Sequence, residues 1–222
     1  MIRIILIDDH AVVRSGYHRL LDAEPDMYVV GEGASSEDAN TLLASTEPDV
    51  ALVDLSLKGS SGIEAIRGML SRRPRLRILV LSMHDSHGHV MQSLRSGATG
   101  YMTKFSDPNE VIEGIRRVAV GERVFSRDVS DVLAREALGA DDLLMQLTPR
   151  EYEVLRLTVN GKPTVEIARS MHLSPKTIFN YQSRIRQKLN AQSDFHLLQI
   201  ATAHGLVEAT HVHPDGSGET AC

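Results

Sequence analysis

Five short apolar runs, each followed by a polar or glycine-containing turn and a helical stretch, constrain the first half of the chain more than any other feature. They read IRIILI (2–7), YVVG (28–31), VALV (50–53), ILVLS (78–82) and GYMT (100–103). Uninterrupted runs rich in Ile, Val and Leu fit strands covered on both faces, as in a parallel sheet sandwiched between helices. Between them Val13, Tyr17, Leu20 and Leu21 recur at helical spacing, as do Val111, Ile112, Ile115 and Val118. The expectation over residues 1–122 is therefore an α/β unit with a doubly wound, five-stranded parallel sheet.

The remaining composition agrees with a folded chain of two small units. Of 222 residues, 42% are apolar and 24% charged, enough to bury a core and too apolar for a disordered chain. The single cysteine, Cys222, excludes an intrachain disulfide, so an oxidising compartment is not implied and a cytoplasmic location is expected. The apolar run before Asp8 is too short for a signal peptide core or a membrane span, and no membrane partner is expected. Charge divides the chain. Residues 1–122 carry 13 Lys/Arg against 17 Asp/Glu, whereas residues 147–210 carry 8 against 5. An acidic half followed by a basic half suggests two separate tasks.

Residues 123–146 read as a linker with partial helix, from DVSDVLAREAL into GADD. The unit at 147–209 reads as short helices. Thr148, Pro149 and Glu151 form an N-terminal signal, and Ser174 with Pro175 forms a second. The last residues, 210–222, are polar and glycine-containing, and disorder is expected there.

In an open parallel sheet, ligands bind outside the carboxyl ends of the strands. The residues at those ends are Asp8 and Asp9, Asp54, Ser82 and Lys104. Taken singly, an Asp pair is most often a helix cap and a lone Lys a solvated side chain. Together they place three carboxylates, a hydroxyl and an ammonium on one rim. Mg²⁺ prefers oxygen ligands and keeps several waters, so Asp9 and Asp54 suffice to hold it, with Asp8 adding negative charge. A carboxylate is also a nucleophile toward phosphorus, and Asp54 is the candidate acceptor on a central strand. Lys104 can offset the charge of an incoming phosphoryl group, and Ser82 can donate to its oxygens.

The motifs IDDH, VDLSLKGSSG, LS and GYMTK resemble the receiver domain of two-component response regulators, and DDHAVVRSG is similar to its NarL/FixJ subfamily. That resemblance implies a flavodoxin-like receiver over 1–122 in which a partner histidine kinase phosphorylates Asp54. It further implies that Asp9, Asp54 and the Ser56 carbonyl hold Mg²⁺, and that Ser82 and Tyr101 form a switch pair. The family usually carries proline where Lys58 stands and a Lys-Pro pair where this chain has Lys104 and Phe105.

From Ser174 to Asn190 there are four basic residues, Lys176, Arg184, Arg186 and Lys188, and no acid. Val165, Ile167, Ala168 and Met171 suit one helix face, and Leu173, Ile178, Ile185 and Leu189 suit a second, with the turn HLS between. Two short helices joined by a tight turn match a helix-turn-helix, whose second helix enters the DNA major groove. LTPREYEVLRLTVNGKPTVEIARSMHLSPKTIFNYQSRIRQKLN resembles the LuxR-type four-helix DNA-binding domain. By that resemblance Lys176, Phe179, Asn180 and Ser183 face the groove, while Thr177, Arg184 and Lys188 lie near phosphates. The free amides after Ser174 offer a further phosphate contact. SDFHLLQIATAHGL resembles the family's dimerisation helix, so a homodimer is expected when Asp54 is phosphorylated.

Two alternatives follow from the same residues. One is a Mg²⁺-dependent phosphatase of the haloacid dehalogenase type, but that family carries its nucleophile in a D-x-D motif, whereas Asp8 and Asp9 are adjacent. The other is a constitutive DNA-binding protein whose first half serves only for interaction. No enzymatic activity is expected beyond self-phosphorylation from a phosphodonor and slow self-dephosphorylation.

Overall fold

The structure, a computed structural model, describes residues 1–57, 61–137 and 143–207. Lys58, residues 138–142 of the 123–146 segment and the tail at 210–222 lie outside the described residues. The first unit runs β1 (Ile2–Ile7), α1 (Ala11–Asp22), β2 (Met27–Gly33), α2 (Ser36–Ser45), β3 (Val50–Val53), α3 (Gly62–Arg72), β4 (Arg77–Ser82), α4 (His87–Arg95), β5 (Gly100–Thr103) and α5 (Pro108–Ala119). After it come β6 (Val124–Phe125), α6 (Arg127–Ala137) and a 3₁₀ turn (Leu143–Gln146). The second unit is α7 (Pro149–Val159), α8 (Thr164–Ser170), α9 (Pro175–Lys188) and α10 (Asp194–Ala203).

All strand pairs are parallel, in the order β2-β1-β3-β4-β5-β6. The five expected strands are present, and among the described residues the sheet gains a sixth. Val124 and Phe125 pair with Gly100 and Tyr101, so part of the expected linker belongs to the sheet. Two residues are too few for any periodicity to reveal. Alternation inside each run divides the core. Ile5, Ile7, Ala51, Val53, Ile78 and Val80 face α2, α3 and α4, whereas Ile4, Leu6, Val50, Leu52, Leu79 and Leu81 face α1 and α5.

Strand order reverses at β1, which lies between β2 and β3 and pairs with β3 without a register shift. Ile7 pairs with Val53 and Val53 with Val80, so the residues that follow β1 and β3 leave the sheet side by side. Gly62 closes the loop after β3, because a Cβ there would lie 2.4 Å from the Asp54 carbonyl oxygen. Only glycine permits that approach.

The helical unit starts as its sequence signals require. Thr148 and Glu151 form a complete capping box, and Ser174 and Ser193 cap α9 and α10 through their side chains. His172 turns the chain between α8 and α9 with φ of 55°. Ile178 and Ile185 are buried beneath α9. The 3₁₀ turn and α7 rest on α4: Gln92 Nε2 donates to the Leu147 carbonyl at 3.2 Å and Arg95 Nη1 to that of Met145 at 2.7 Å. Arg150 reaches Glu64 of α3 at 3.1 Å.

Candidate functional site

The strand ends gather the expected side chains into one cup. Lys104 Nζ lies 2.7 Å from Asp54 Oδ2 and 2.7 Å from Asp8 Oδ2, with the three side chains 6%, 1% and 10% exposed. Burial opposes the charge on Lys104, but hydrogen bonds to Asp54 and Asp8 outweigh it and hold the ammonium above its ordinary pKa. The peptide bond before Phe105 is trans, like every other described one. Lys104 therefore reaches the cup without proline beside it, and Phe105 itself is exposed.

Asp9 completes the acidic side. Its Oδ1 is buried and has no hydrogen bond of acceptable geometry, although His10 Nδ1 stands 2.9 Å away. Ligand atoms of Asp8, Asp9, His10 and Asp54 all lie within 4.8 Å of one another. An unsatisfied buried oxygen among clustered carboxylates fits a hard divalent cation such as Mg²⁺. His10 was not among the expected residues; its position directly after the Asp pair was the signal for it. Ser56 N–H donates to Asp54 Oδ1 at 3.1 Å, which orients the acceptor carboxylate.

Ser82 and Tyr101 are fully buried and converge on one residue. His84 N–H donates to Ser82 Oγ at 3.2 Å, and Tyr101 Oη donates to the His84 carbonyl at 2.5 Å. Burial pushes the Tyr101 phenol upward, so it remains a donor at any physiological pH. Thr103 ties the same strand end to α6 through Asp128 Oδ2 at 2.6 Å.

On α9, Lys176, Phe179, Asn180, Ser183 and Arg184 form an exposed face opposite the buried Ile178 and Ile185. Phe179 is 59% exposed on this face. Ser174 and Thr177 share a hydroxyl contact at the start of the helix. Lys188 differs from its neighbours. Its Nζ donates to Glu151 Oε2 at 2.6 Å and to the Gln146 carbonyl at 3.1 Å, so it is engaged inside the unit. Burial opposes ionisation of Glu151, yet Lys188 and Thr148 overcome this and hold its carboxyl below the usual range.

Comparison with known proteins agrees with this arrangement. Residues 4–116 match the response regulator receiver domain, and residues 145–201 match the bacterial regulatory proteins of the luxR family. The chain is 32% identical over 212 residues to response regulator UvrY of Escherichia coli, covering 94% of this chain and 97% of that one. It is 35% identical over 207 residues to transcriptional regulatory protein DegU of Brevibacillus brevis, covering 85% and 88%. Among solved structures, RcsB from Salmonella enterica serovar Typhimurium, bound to promoter rprA in the presence of phosphomimetic BeF3⁻, superposes with a TM-score of 0.72 at 28% identity, covering 90% of this chain and 98% of that one. No described helix is long and apolar enough to cross a membrane. The chain belongs to the two-component response regulators of the NarL/FixJ type, in which a receiver domain is followed by a luxR-type regulatory domain.

Proposed function

We propose that this response regulator works in the cytoplasm as a DNA-binding transcription factor switched by phosphorylation of Asp54 by a partner histidine kinase. Residues 1–122 receive the phosphoryl group, 147–209 read DNA, and 123–146 join them. The observation that carries this reading is the cup itself: Asp54 almost fully buried, with Lys104 at 2.7 Å and a buried oxygen of Asp9 beside it.

Asp54 Oδ attacks phosphorus as the bond to the donor imidazole nitrogen breaks, giving an acyl phosphate and a free histidine on the kinase. Lys104 then turns from the carboxylate toward a phosphoryl oxygen, and Ser82 donates its hydroxyl to another. A Mg²⁺ ion held by Asp9, Asp54 and the Ser56 carbonyl, with Asp8 nearby, would supply charge neutralisation for the transfer. The modification adds roughly one to two negative charges. The receiver shifts toward a form that dimerises and presents α9 to the major groove. There Asn180 can bond an adenine edge and Phe179 a thymine methyl, with Lys176 beside them on the groove side, while Thr177 and Arg184 meet phosphates. That a similar protein, RcsB, was solved on promoter DNA with a phosphomimetic present supports this reading.

The test is labelling with radioactive acetyl phosphate. The wild-type chain should take up about one phosphoryl group, and Asp54→Asn none. Undiminished labelling of Asp54→Asn would remove Asp54 as acceptor.

A further inference from the structure

A row of three rings crosses the boundary between the two units, and phosphoryl chemistry does not require it. His84 stacks on His89 with ring centroids 4.6 Å apart and 11° between planes. His89, 2% exposed, meets Tyr152 of α7 edge to face at 5.5 Å and 88°. Tyr152 lies over Gly88, where an added methyl would come within 3.0 Å of its ring and hydroxyl. A methyl at 88 would therefore have to push the Tyr152 ring back by a few tenths of an ångström.

The near end of the row is fastened to the switch residues. The backbone of His84 donates to Ser82 Oγ and accepts from Tyr101 Oη, and its Nε2 lies 3.3 Å from Ser56 Oγ, two residues past the acceptor. Side-chain hydroxyls occupy discrete staggered positions. When the Ser82 hydroxyl turns to a new one to meet a phosphoryl oxygen, it leaves the His84 amide. The middle ring is only half satisfied, with His89 Nδ1 at 2.7 Å from Ser86 Oγ. His89 Nε2 is buried without a hydrogen-bond partner, a cost that opening the interface would remove. Gln92, Arg95 and Arg150 also bridge the units, but their partners are Leu147, Met145 and Glu64, none of which touches the cup.

We infer that His84, His89 and Tyr152 form a latch that holds α7 on α4 while Asp54 is unmodified and releases it when Ser82 turns toward the phosphoryl group. This rests on the phosphorylation-switched reading above and adds the path by which the cup is felt at the DNA-binding helices. Coupling between two sites is reciprocal: whatever factor phosphate exerts on DNA affinity, release of the latch exerts on phosphate affinity.

The experiment uses the full chain with Gly88→Ala, which places a methyl against Tyr152 while improving the propensity of α4. His89→Ala shortens the row at its middle, and His89→Phe restores a ring there. Affinity for a DNA duplex selected from a random pool by the BeF3⁻-loaded wild type is measured by fluorescence anisotropy with and without BeF3⁻ and Mg²⁺. Affinity for BeF3⁻, in Mg²⁺ and without DNA, is measured by fluorine NMR. For the wild type BeF3⁻ should strengthen DNA binding by roughly five- to a hundredfold, the usual range of such coupling. Gly88→Ala and His89→Ala should bind DNA tightly without BeF3⁻, lose most of that ratio, and bind BeF3⁻ more tightly by a similar factor. His89→Phe should recover the wild-type ratio. If the wild type responds to BeF3⁻ and both loosening variants keep its full ratio, the latch is wrong and the function stands. Tighter DNA binding with unchanged BeF3⁻ affinity would reduce the row to passive packing and also overturn it. A wild type indifferent to BeF3⁻ would remove the functional reading and the latch with it.

Discussion

Lys104 Nζ and Asp54 Oδ2 are 2.7 Å apart, and the same ammonium reaches Asp8 at an equal distance. In this arrangement the lysine neutralises the carboxylates that would otherwise repel one another, and it competes with any cation for them. Replacing Lys104 by Met should therefore destabilise the metal-free chain by about 3 kcal/mol, the lower range for breaking a buried pair from one side. Mg²⁺ should restore much of that loss and bind more tightly than to the wild type. Thermal unfolding in EDTA and in millimolar Mg²⁺ measures both effects. Equal midpoints for the variant in the two conditions would show that these carboxylates do not hold the ion.

Acid should loosen the contact between α4 and α7. Burial pushes His89 well below its ordinary pKa, and His84 and Arg156 lower it further; the uncharged Tyr152 ring closes the other side. A histidine depressed in the closed form takes up a proton more readily once exposed. The closed form is thus fully favoured above about pH 6.5, the ordinary imidazole value, and loses ground as pH falls below it. Protease sensitivity of the segment joining the units should rise from pH 7.5 to 5.5 in the wild type and change less in His89→Phe.

The exposed face of α9 separates charge from sequence reading. Arg184→Met should weaken binding to all duplexes and reduce the salt slope by about one. Asn180→Ala should instead narrow the gap between preferred and scrambled duplexes, with the salt slope unchanged. Affinity titrations at several salt concentrations distinguish the two classes.

Lys188 should behave differently from either, because it serves the capping box that starts α7. Its removal leaves the 3%-exposed Glu151 without its cation. Lys188→Met should cost about 1 to 2 kcal/mol of stability, moderated by the solvent that reaches Lys188. Calorimetry of the variant, with its salt slope on DNA, tests this. A wild-type midpoint together with a slope reduced by one would make Lys188 a phosphate contact after all.

Much of this architecture was legible because its signals are local. Unbroken β-branched runs announce buried parallel strands, and register then brings Asp8, Asp54 and Lys104 together without further information. Thr148, Ser174 and their prolines announce helix starts for the same reason. β6 was not legible, since Val124 and Phe125 acquire strand character only from the edge that β5 offers them. The engagement of Lys188 by Glu151 depends on how α9 crosses α7, which no spacing along the chain encodes. The same holds for the stack of His84, His89 and Tyr152, whose members are drawn from a loop and two helices.

The central claim, that filling the cup at Asp54 is felt by α9, is tested most directly by DNA affinity of the full chain before and after acetyl phosphate treatment in Mg²⁺, with Asp54→Asn in parallel. The expected result is at least a fivefold gain for the wild type and none for Asp54→Asn. Equal affinity of the wild type in both conditions, with Asp54 verified as phosphorylated by mass, would contradict it.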